Sequence, residues 1–252
     1  MARMICYTRN FEDVILQRVF SDLPLGHYLD VGAAMPVTDS NTYGLYTKGW
    51  RGVAMEPQGG AEEWKIARPG DKLLRAVAGG AKGRRALHVF DAGQVSSGDL
   101  PTIRHLKAHG VTSREVMDVP MLTLNDVIAD YLPGKTIHLL SIDVEGMEHE
   151  VLQGLDLQRH RPWVMVIEAV LSGTPQPSHA GWEPMVLEAG YHMAYFDGVN
   201  RFYLAHEQRH LLGRFGYPPN VWDNFVMATE QALTARVAAL EAEVKRLRGD
   251  AK

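Results

Sequence analysis

The stretch HYLDVGAA, residues 27–34, decides the fold of this chain, because it is a short apolar run that ends at a glycine. A second run of the same form, GVAMEP at residues 52–57, follows after an interval of helical length. Two such runs joined by a helix predict two parallel strands with a crossover connection. Glycine at such a turn lets the backbone approach a ligand beside a helix N-terminus, although it is also common in simple tight turns. Residues 29–33 therefore predict a strand-to-helix turn with room for a nucleotide-sized ligand.

Further apolar runs extend the predicted sheet. They cover residues 73–78, 86–90, 137–143 and 163–169, and segments long enough for helices separate them. Because these runs are apolar on both faces, they favour a buried parallel sheet. Residues 190–195 and 201–205 flank an Asp-Gly turn and predict an antiparallel hairpin at the sheet edge. The sequence thus predicts an α/β fold with a mainly parallel sheet.

The composition limits the classes to which the protein can belong. With 252 residues, the chain is long enough for one α/β domain with a buried core, and little remains for a second domain. A formal net charge of −4 provides no long-range attraction for nucleic acid or for an anionic membrane. Cys6 is the only cysteine, which excludes an intramolecular disulfide and a cysteine metal cluster. Since neither a signal-peptide pattern nor an apolar run of about 20 residues is present, we expect a soluble, cytoplasmic protein with no membrane span and no nucleic-acid partner.

An acid at the end of the second run indicates what the first turn could bind. Glu56 lies where doubly wound folds place an acid that binds the two hydroxyls of a ribose. A dinucleotide site also needs a glycine-rich loop for its pyrophosphate, whereas Gly32 is followed by Ala33, Ala34 and Met35. The pattern therefore favours a nucleoside without phosphates, such as S-adenosylmethionine (SAM). A nicotinamide-dependent oxidoreductase is the alternative that tight NAD binding would restore.

Two further acids end apolar runs and form a candidate catalytic pair. Asp143 ends the run LLSID at residues 139–143, and Glu168 ends VMVIE at residues 164–168. In open α/β folds the carboxyl ends of the strands form the ligand-binding edge, so we expect both acids on one rim. An acid at a strand end is often only a helix cap, but a pair suits proton abstraction or a divalent cation such as Mg²⁺. Asp143 and Glu168 are therefore candidate catalytic residues and candidate metal ligands.

Motifs in a fixed order along the chain resemble the FkbM family of SAM-dependent methyltransferases. They occur between residue 7 and about residue 225, at Asn10 with 12–16, 28–33 with Pro36, Asp39 and Ser40, 49–52, 56–57, 142–146 with Glu148, 166–169, His179 with 182–184, and 196–203. Each motif alone is weak, but the ordered set is specific. Two positions depart from the family pattern: Arg9 stands where glutamine is more common, and Phe11 where glycine is common. We therefore expect the opening segment to contact cofactor or acceptor differently.

The resemblance implies a Rossmann-like class I methyltransferase fold over residues 1–228. This fold has a mainly parallel seven-stranded sheet with an antiparallel last strand, and it binds SAM over the first two strands. Family members are generally O-methyltransferases of secondary metabolites and of sugars in surface polysaccharides, and this chain resembles those found beside glycosyltransferases. The residues that the resemblance assigns to SAM binding are Asp30, Gly32, Ala33, Ser40, Glu56, Pro57, Val77 and Asp143.

The expected reaction is methyl transfer from SAM to a hydroxyl of a sugar or glycan. In this reading Asp143 is the general base or a metal ligand and Glu168 is its partner. His179 joins them only through the resemblance, since an exposed loop histidine is more often incidental. Two alternatives stay open: O-methylation of a non-sugar secondary metabolite, and a non-catalytic scaffold that keeps the SAM fold in a glycan-assembly complex.

The candidate acceptor-binding residues are Glu145, Asn200 and Arg201. Arginine offers a planar fork of donors, and asparagine offers both donors and acceptors, which suits a hydroxylated or anionic acceptor. A hairpin turn with a surface arginine would produce the same pattern.

The last part of the chain differs in composition. In residues 229–252, apolar residues recur in alternating steps of four and three, at Leu233, Val237, Leu240, Val244 and Leu247. This heptad pattern predicts a C-terminal helix. It is either a short coiled coil through which chains form a homo-oligomer or an amphipathic helix packed on its own domain.

Overall fold

The computed structural model describes residues 3–58, 60–91 and 95–249. The strands are β1 (Met4–Cys6), β2 (His27–Val31), β3 (Arg51–Met55), β4 (Lys72–Leu74), β5 (Val77–Ala78), β6 (Gly83–Phe90), β7 (Ser96–Ser97), β8 (Ser113–Leu122), β9 (Leu139–Ile142), β10 (Val164–Glu168), β11 (Tyr191–Phe196), β12 (Asn200–Ala205) and β13 (Phe225–Met227). The α-helices are α1 (Glu12–Val19), α2 (Tyr43–Thr47), α3 (Ala61–Ala67), α4 (Leu100–Ala108), α5 (Leu124–Tyr131), α6 (Glu148–Gln153), α7 (Glu183–Glu188) and α8 (Ala228–Gly249). Segments of 3₁₀ helix cover His179–Gly181, His206–Phe215 and Val221–Asp223.

The main sheet has seven strands in the order β11-β12-β10-β9-β2-β3-β4. The pairs from β4 through β3, β2 and β9 to β10 are parallel, while β12 is antiparallel to both β10 and β11. The chain moves outward from β2 to β4 on one side and from β9 to β10 on the other. This change of direction opens a crevice at the carboxyl ends of β2 and β9.

Alternate residues of each strand point to opposite faces of the main sheet, and both faces are covered. On one face, Leu29 and Ile142 share a core with the buried sides of α5, α6 and α7. On the other face, Tyr28 and Val166 pack with α1 and with Leu45 of α2. Burial on both faces is what the continuous apolar runs predict.

Two smaller sheets lie beside the main one. β5, β8, β6 and β7 form a four-stranded sheet in that order, and β1 pairs in parallel with β13. Within the described ranges, no helix combines the length and the apolar composition that a bilayer span requires.

The structure confirms the α/β class and the edge hairpin, β11–β12, and corrects the predicted sheet arrangement. The run at residues 73–78 is not one strand, because β4 ends at Leu74 in the main sheet and residues 77–78 form β5 of the four-stranded sheet. The run at residues 86–90 also belongs to that second sheet, within β6. The described strands thus form three sheets where the sequence predicted one. An apolar run predicts a strand, but it carries no information about the sheet that the strand joins.

Candidate functional site

The carboxyl ends of the central strands border a cleft of about 710 Å³. Its walls come from the turn after β2, the residues after β3 and β9, strand β5, and an N-terminal segment at residues 8–10. A volume of this size falls in the range of roughly 300–1,000 Å³ that accommodates cofactors and small ligands. The cleft lies at the change of strand order, where open α/β sheets bind ligands.

Gly32 allows β2 and β9 to approach each other at the base of the cleft. Its φ is +79°, in the left-handed region, and a Cβ at this position would lie 1.7 Å from the carbonyl oxygen of Asp143. The Asp143 amide in turn donates to the carbonyl of Val31 at 3.0 Å. Position 32 therefore requires glycine, because a side chain there would collide with the backbone at the end of β9. The same close approach holds Asp143 at the cleft.

Glu56 holds the turn that follows Gly32. One carboxylate oxygen accepts a hydrogen bond from the Ala34 amide at 3.0 Å, and the other accepts from the Gln58 amide at 2.7 Å. The Trp64 indole donates to the Ala34 carbonyl at 3.1 Å, which keeps Ala34 at a φ of 47°. Burial raises the pKa of Glu56. Each carboxylate oxygen has a second lone pair, so Glu56 can still accept from hydroxyls of a ligand.

The other predicted cofactor residues fall into two groups. Pro57 and Val77 line the cleft together with Gly32, Glu56 and Asp143. Asp30, Ala33 and Ser40 are buried and do not line it. Ala33 packs with Ala54 and Trp64 behind the wall.

Asp30 and Ser40 belong to a buried polar network around Arg68. The Arg68 guanidinium, with a fully buried side chain, forms an ion pair with Asp71 at 2.7 Å and donates to Ser40 Oγ at 3.2 Å and to Thr42 Oγ1 at 2.9 Å. Thr42 Oγ1 donates to Asp30 at 2.6 Å. The network anchors the segment between β2 and α2, so Asp30 and Ser40 support the cleft wall from behind.

Asp143 and Glu168 meet, as predicted for two neighbouring strand ends. Asp143 lines the cleft, while Glu168 lies behind it and is 8% exposed. Asp143 is exposed to the cleft, but the protein atoms that surround it desolvate its carboxyl, as burial does for Glu168. This desolvation, reinforced by neighbouring acids, raises the pKa of both carboxyls well above the ordinary value. The hydrogen bond between them lowers the pKa of Asp143 and raises that of Glu168. The two carboxyls therefore titrate as a pair, in which a protonated carboxyl donates to its ionised partner.

The described residues include no group of three or more His, Cys, Asp or Glu side chains arranged to hold a metal ion. In the Asp143–Glu168 pair, one carboxyl hydrogen-bonds the other. A divalent cation at these two residues stays a prediction.

Glu145 and Glu148 shape the loop after β9. Glu148 accepts hydrogen bonds from the amides of Val144 at 3.3 Å and Gly146 at 3.2 Å. Glu145 lines the cleft, and its carbonyl accepts from Ser97 of β7 at 2.7 Å. The four-stranded sheet thus holds the loop that carries Asp143 and Glu145.

The remaining predicted residues form a separate cluster around Glu183. Its carboxylate forms an ion pair with Arg201 at 2.5 Å, accepts from the Tyr203 hydroxyl at 2.7 Å, and lies 3.8 Å from Nε2 of His179. Neither His179 nor Arg201 lines the cleft. The Arg201 charge is already balanced by Glu183, and roles for both residues in catalysis or acceptor binding stay predictions.

Asn200 connects this region to the acids. It pairs with Glu168 across β10 and β12, and its side-chain amide donates to Glu12 at 2.9 Å. Asn200 does not line the cleft, whereas Glu12 does. Asn200 therefore positions an acid of the wall, and its contact with an acceptor stays a prediction.

The sequence did not single out the rim of the cleft as a site. Arg9 and Asp39 both line it and form an ion pair at 2.5 Å. The only signal was that Arg9 departs from the family pattern. The Arg9 side chain is 88% exposed, so this ion pair contributes at most about 1 kcal/mol to stability. Its position makes it a contact that a ligand entering the cleft would meet first.

Because the protein buries acidic side chains, we expect its free energy of unfolding to fall as the pH rises. Burial raises the pKa of Glu12 and of Glu148 from 4.5 to about 7. Since the folded state binds these protons more tightly than the unfolded chain, their stabilising effect is complete below about pH 4.5 and is lost as the pH rises past about 7. His138, whose pKa burial lowers to about 4, opposes this trend only below about pH 6.5. From about pH 6.5 to about pH 8 we expect a loss on the order of 2 kcal/mol, or roughly 5 °C in Tm.

Thermal unfolding, followed by circular dichroism at several pH values, measures the slope of Tm against pH. Glu12→Gln and Glu148→Gln should each flatten it, while Glu115→Gln, at an exposed position of β8, should leave it unchanged. A Tm that is constant or rises over this range would contradict the prediction.

Two comparisons relate this chain to known proteins. The family model for the methyltransferase FkbM domain matches residues 30–193. A similar solved structure is methyltransferase FkbM from Methylobacillus flagellatus KT, with 13% sequence identity and a TM-score of 0.43. The similarity covers 74% of this chain and 47% of that one, so this chain spans about half the length of that relative. No curated protein matches the sequence.

Proposed function

Because the chain belongs to the FkbM methyltransferase family, we propose that it transfers a methyl group from SAM to a hydroxyl of a sugar or glycan. The observation that carries the proposal is that Gly32, Glu56 and Asp143, from three different strand ends, line one cleft. Six strands in one direction with β12 antiparallel agree with the expected Rossmann-like class I fold. The proposal includes a cytoplasmic location, which suits the free, buried thiol of Cys6.

The turn after β2 favours a nucleoside over a dinucleotide. The amides of Gly32 and Ala33 both donate to the Met55 carbonyl, at 3.0 and 3.2 Å, and the Ala34 amide donates to Glu56. A pyrophosphate would need these N–H groups free, and it would be repelled by the Glu56 carboxylate beside them. A neutral ribose attached to a cationic sulfonium meets neither obstacle. This argument disfavours the nicotinamide-dependent alternative.

The cleft offers each part of SAM a matching surface. Glu56 would accept hydrogen bonds from the ribose hydroxyls, and the apolar Val77 and Ala78 would pack beside the adenine. Asp143 and Glu145 place carboxyls where a sulfonium charge is favourable. When bound, SAM supplies an electrophilic methyl group on a positively charged sulfur.

Asp143 is the group that would accept the proton of the acceptor hydroxyl. As the oxygen bonds to the methyl carbon and the carbon–sulfur bond breaks, the hydroxyl proton passes to the Asp143 carboxylate. We assign the proton of the pair to Glu168, which would then stabilise the Asp143 carboxylate by donating a hydrogen bond to it. The protein otherwise needs only to align the reacting atoms and to exclude water.

A hydroxylated acceptor agrees with the polar side chains that line the cleft. One carboxylate oxygen of Glu145 is buried without a hydrogen-bond partner among the described residues, and it would accept from an acceptor hydroxyl that reaches it. Thr8, Asn10 and Thr38 add hydroxyl and amide groups to the same cleft. Sugars present many hydroxyls, and side-chain carboxyl, hydroxyl and amide groups are suitable hydrogen-bond partners for them. A small non-sugar metabolite would leave more of these groups without partners.

The function is tested by calorimetric titration of the protein with SAM, with its product S-adenosylhomocysteine and with NAD, with and without EDTA. We expect micromolar binding of the first two ligands and none of NAD. A loss of binding or of activity with EDTA would assign a metal to the site. Binding of neither sulfur ligand would support the non-catalytic scaffold, and NAD binding alone would support the oxidoreductase. If SAM binds, release of S-adenosylhomocysteine in the presence of nucleotide sugars, glycans and non-sugar metabolites identifies the acceptor class.

A further inference from the structure

Helix α8 carries an apolar stripe that its own domain does not cover. Every residue from Thr229 to Arg248 is exposed. The stripe consists of Leu233, Val237, Leu240, Val244 and Leu247, which are between 43% and 66% exposed. The rest of this 22-residue helix consists of alanine, polar and charged residues, and within the described part of the chain the exposed apolar stripe is left without a stabilising partner. The amphipathic helix packed on its own domain, one of the two expectations for this segment, is not what the structure describes.

The residue types in the stripe select a particular assembly. In heptad notation, Leu233, Leu240 and Leu247 occupy d positions, and Val237 and Val244 occupy a positions. β-Branched residues at a with leucine at d favour parallel, two-stranded coiled coils. We propose that α8 pairs with α8 of a second copy of this chain in a parallel, in-register, two-stranded coiled coil.

The charges beside the stripe fit the second copy. Arg236 and Glu243 are at g positions, and Glu241 and Arg248 are at e positions. In a parallel pair, each g residue faces the e residue five positions later in the other helix. Arg236 then faces Glu241 and Glu243 faces Arg248, so both kinds of contact join opposite charges and each occurs twice by symmetry.

An antiparallel pair has fewer favourable contacts. In that arrangement g positions face g positions and e positions face e positions. In the two antiparallel alignments that overlap most of the stripe, Glu241 faces either Thr234 or a second Glu241. The charge pattern therefore favours the same parallel orientation as the apolar residues.

The two-stranded pair is expected to be reversible, because the stripe from Leu233 to Leu247 is only just over two heptads long. Sedimentation equilibrium of the full chain over a range of concentrations measures the mass, which is 28.1 kDa for one chain. We expect a monomer–dimer equilibrium with a dissociation constant in the micromolar range. A monomer at all concentrations up to about 100 μM, or a trimer or tetramer, would overturn the proposal.

Matched substitutions on α8 test the apolar contacts. Leu240→Glu puts a charge at a central d position and should weaken the dimer by more than about 100-fold. Ala242→Glu puts the same side chain two residues away at the outward f position and should leave the dimer unchanged. Since α8 lies outside the domain core, both variants should keep the wild-type Tm. Equal effects of the two substitutions on dimerisation would overturn the proposal.

A charge exchange tests the orientation. Arg236→Glu and Glu241→Arg should each weaken the dimer by about tenfold, because each places like charges together. The double variant restores opposite charges in a parallel pair and should recover wild-type affinity. In an antiparallel pair the double variant would instead place Glu beside Glu243, so failure to recover would overturn the parallel arrangement. These measurements do not involve SAM, so they test dimerisation independently of the proposed function.

Discussion

Replacing Gly32 with alanine is expected to weaken SAM binding by at least about 100-fold. The added Cβ would lie 1.7 Å from the Asp143 carbonyl oxygen, so β2 and β9 must separate at the base of the cleft. That movement displaces the turn that Glu56 holds and the loop that carries Asp143. The backbone cannot move away from the added methyl group as a flexible side chain could. Overpacking of this kind also typically lowers the free energy of unfolding by about 1–3 kcal/mol or more. Calorimetric titration with SAM, together with thermal unfolding, measures both effects.

Gly110 provides the matched control. Its φ is +80°, almost the same as that of Gly32, but a Cβ there meets no atom within 4 Å. Gly110→Ala therefore measures the cost of a left-handed alanine alone, about 1 kcal/mol, and should leave SAM affinity unchanged. If Gly32→Ala bound SAM within a few-fold of the wild type, the close approach of the two strands would not be what forms the site.

The Asp143→Asn variant is expected to lower kcat by about 100- to 10,000-fold while SAM affinity changes by less than about tenfold. Asparagine keeps the size of the side chain but cannot accept the hydroxyl proton. Desolvation within the cleft and the neighbouring acids raise the pKa of Asp143, and the base must be deprotonated to act. In the wild type, kcat/KM should therefore rise with pH through an apparent pKa above the ordinary carboxyl range. The variant should lose this acid limb.

Glu168 offers the comparison for the catalytic pair. In Glu168→Gln, the side-chain amide can still donate to Asp143, so we expect a much smaller loss of kcat than in Asp143→Asn. The pair titrates as a unit, so the same substitution should also shift the acid limb. Full activity of Asp143→Asn would assign the base elsewhere in the cleft. A larger loss in Glu168→Gln than in Asp143→Asn would exchange the two roles.

The parts of the site that follow directly from strand ends could be predicted from the sequence. Gly32, Glu56 and Asp143 each come just after an apolar run, and parallel strands bring their carboxyl ends to one edge. The prediction for these residues depends only on local pattern and on one topological rule. The same reasoning placed Glu168 beside Asp143, where the structure has it.

The parts that depend on distant contacts could not be predicted. The role of Arg68 depends on Tyr28, Ser40 and Asp71, which come from three separate segments. Strand β8 was missed because Arg114, Glu115 and Asp118 interrupt its apolar residues, and Val119 alone among its residues is buried. Without β8 the four-stranded sheet could not be predicted, nor could its contact with the loop after β9.

The pairing of β2 with β9 determines the order in which the site can form. The unit β2–α2–β3 is local in sequence, whereas the His27 amide contacts the His138 side chain across 111 residues of chain. Non-local pairing forms slowly, because the entropy of closing a long loop must be overcome before any contact is gained. Since the cleft exists only where Gly32 meets the backbone of Asp143, it is absent from any early β2–β3 intermediate. We therefore expect a ligand of this cleft to slow unfolding much more than it speeds folding.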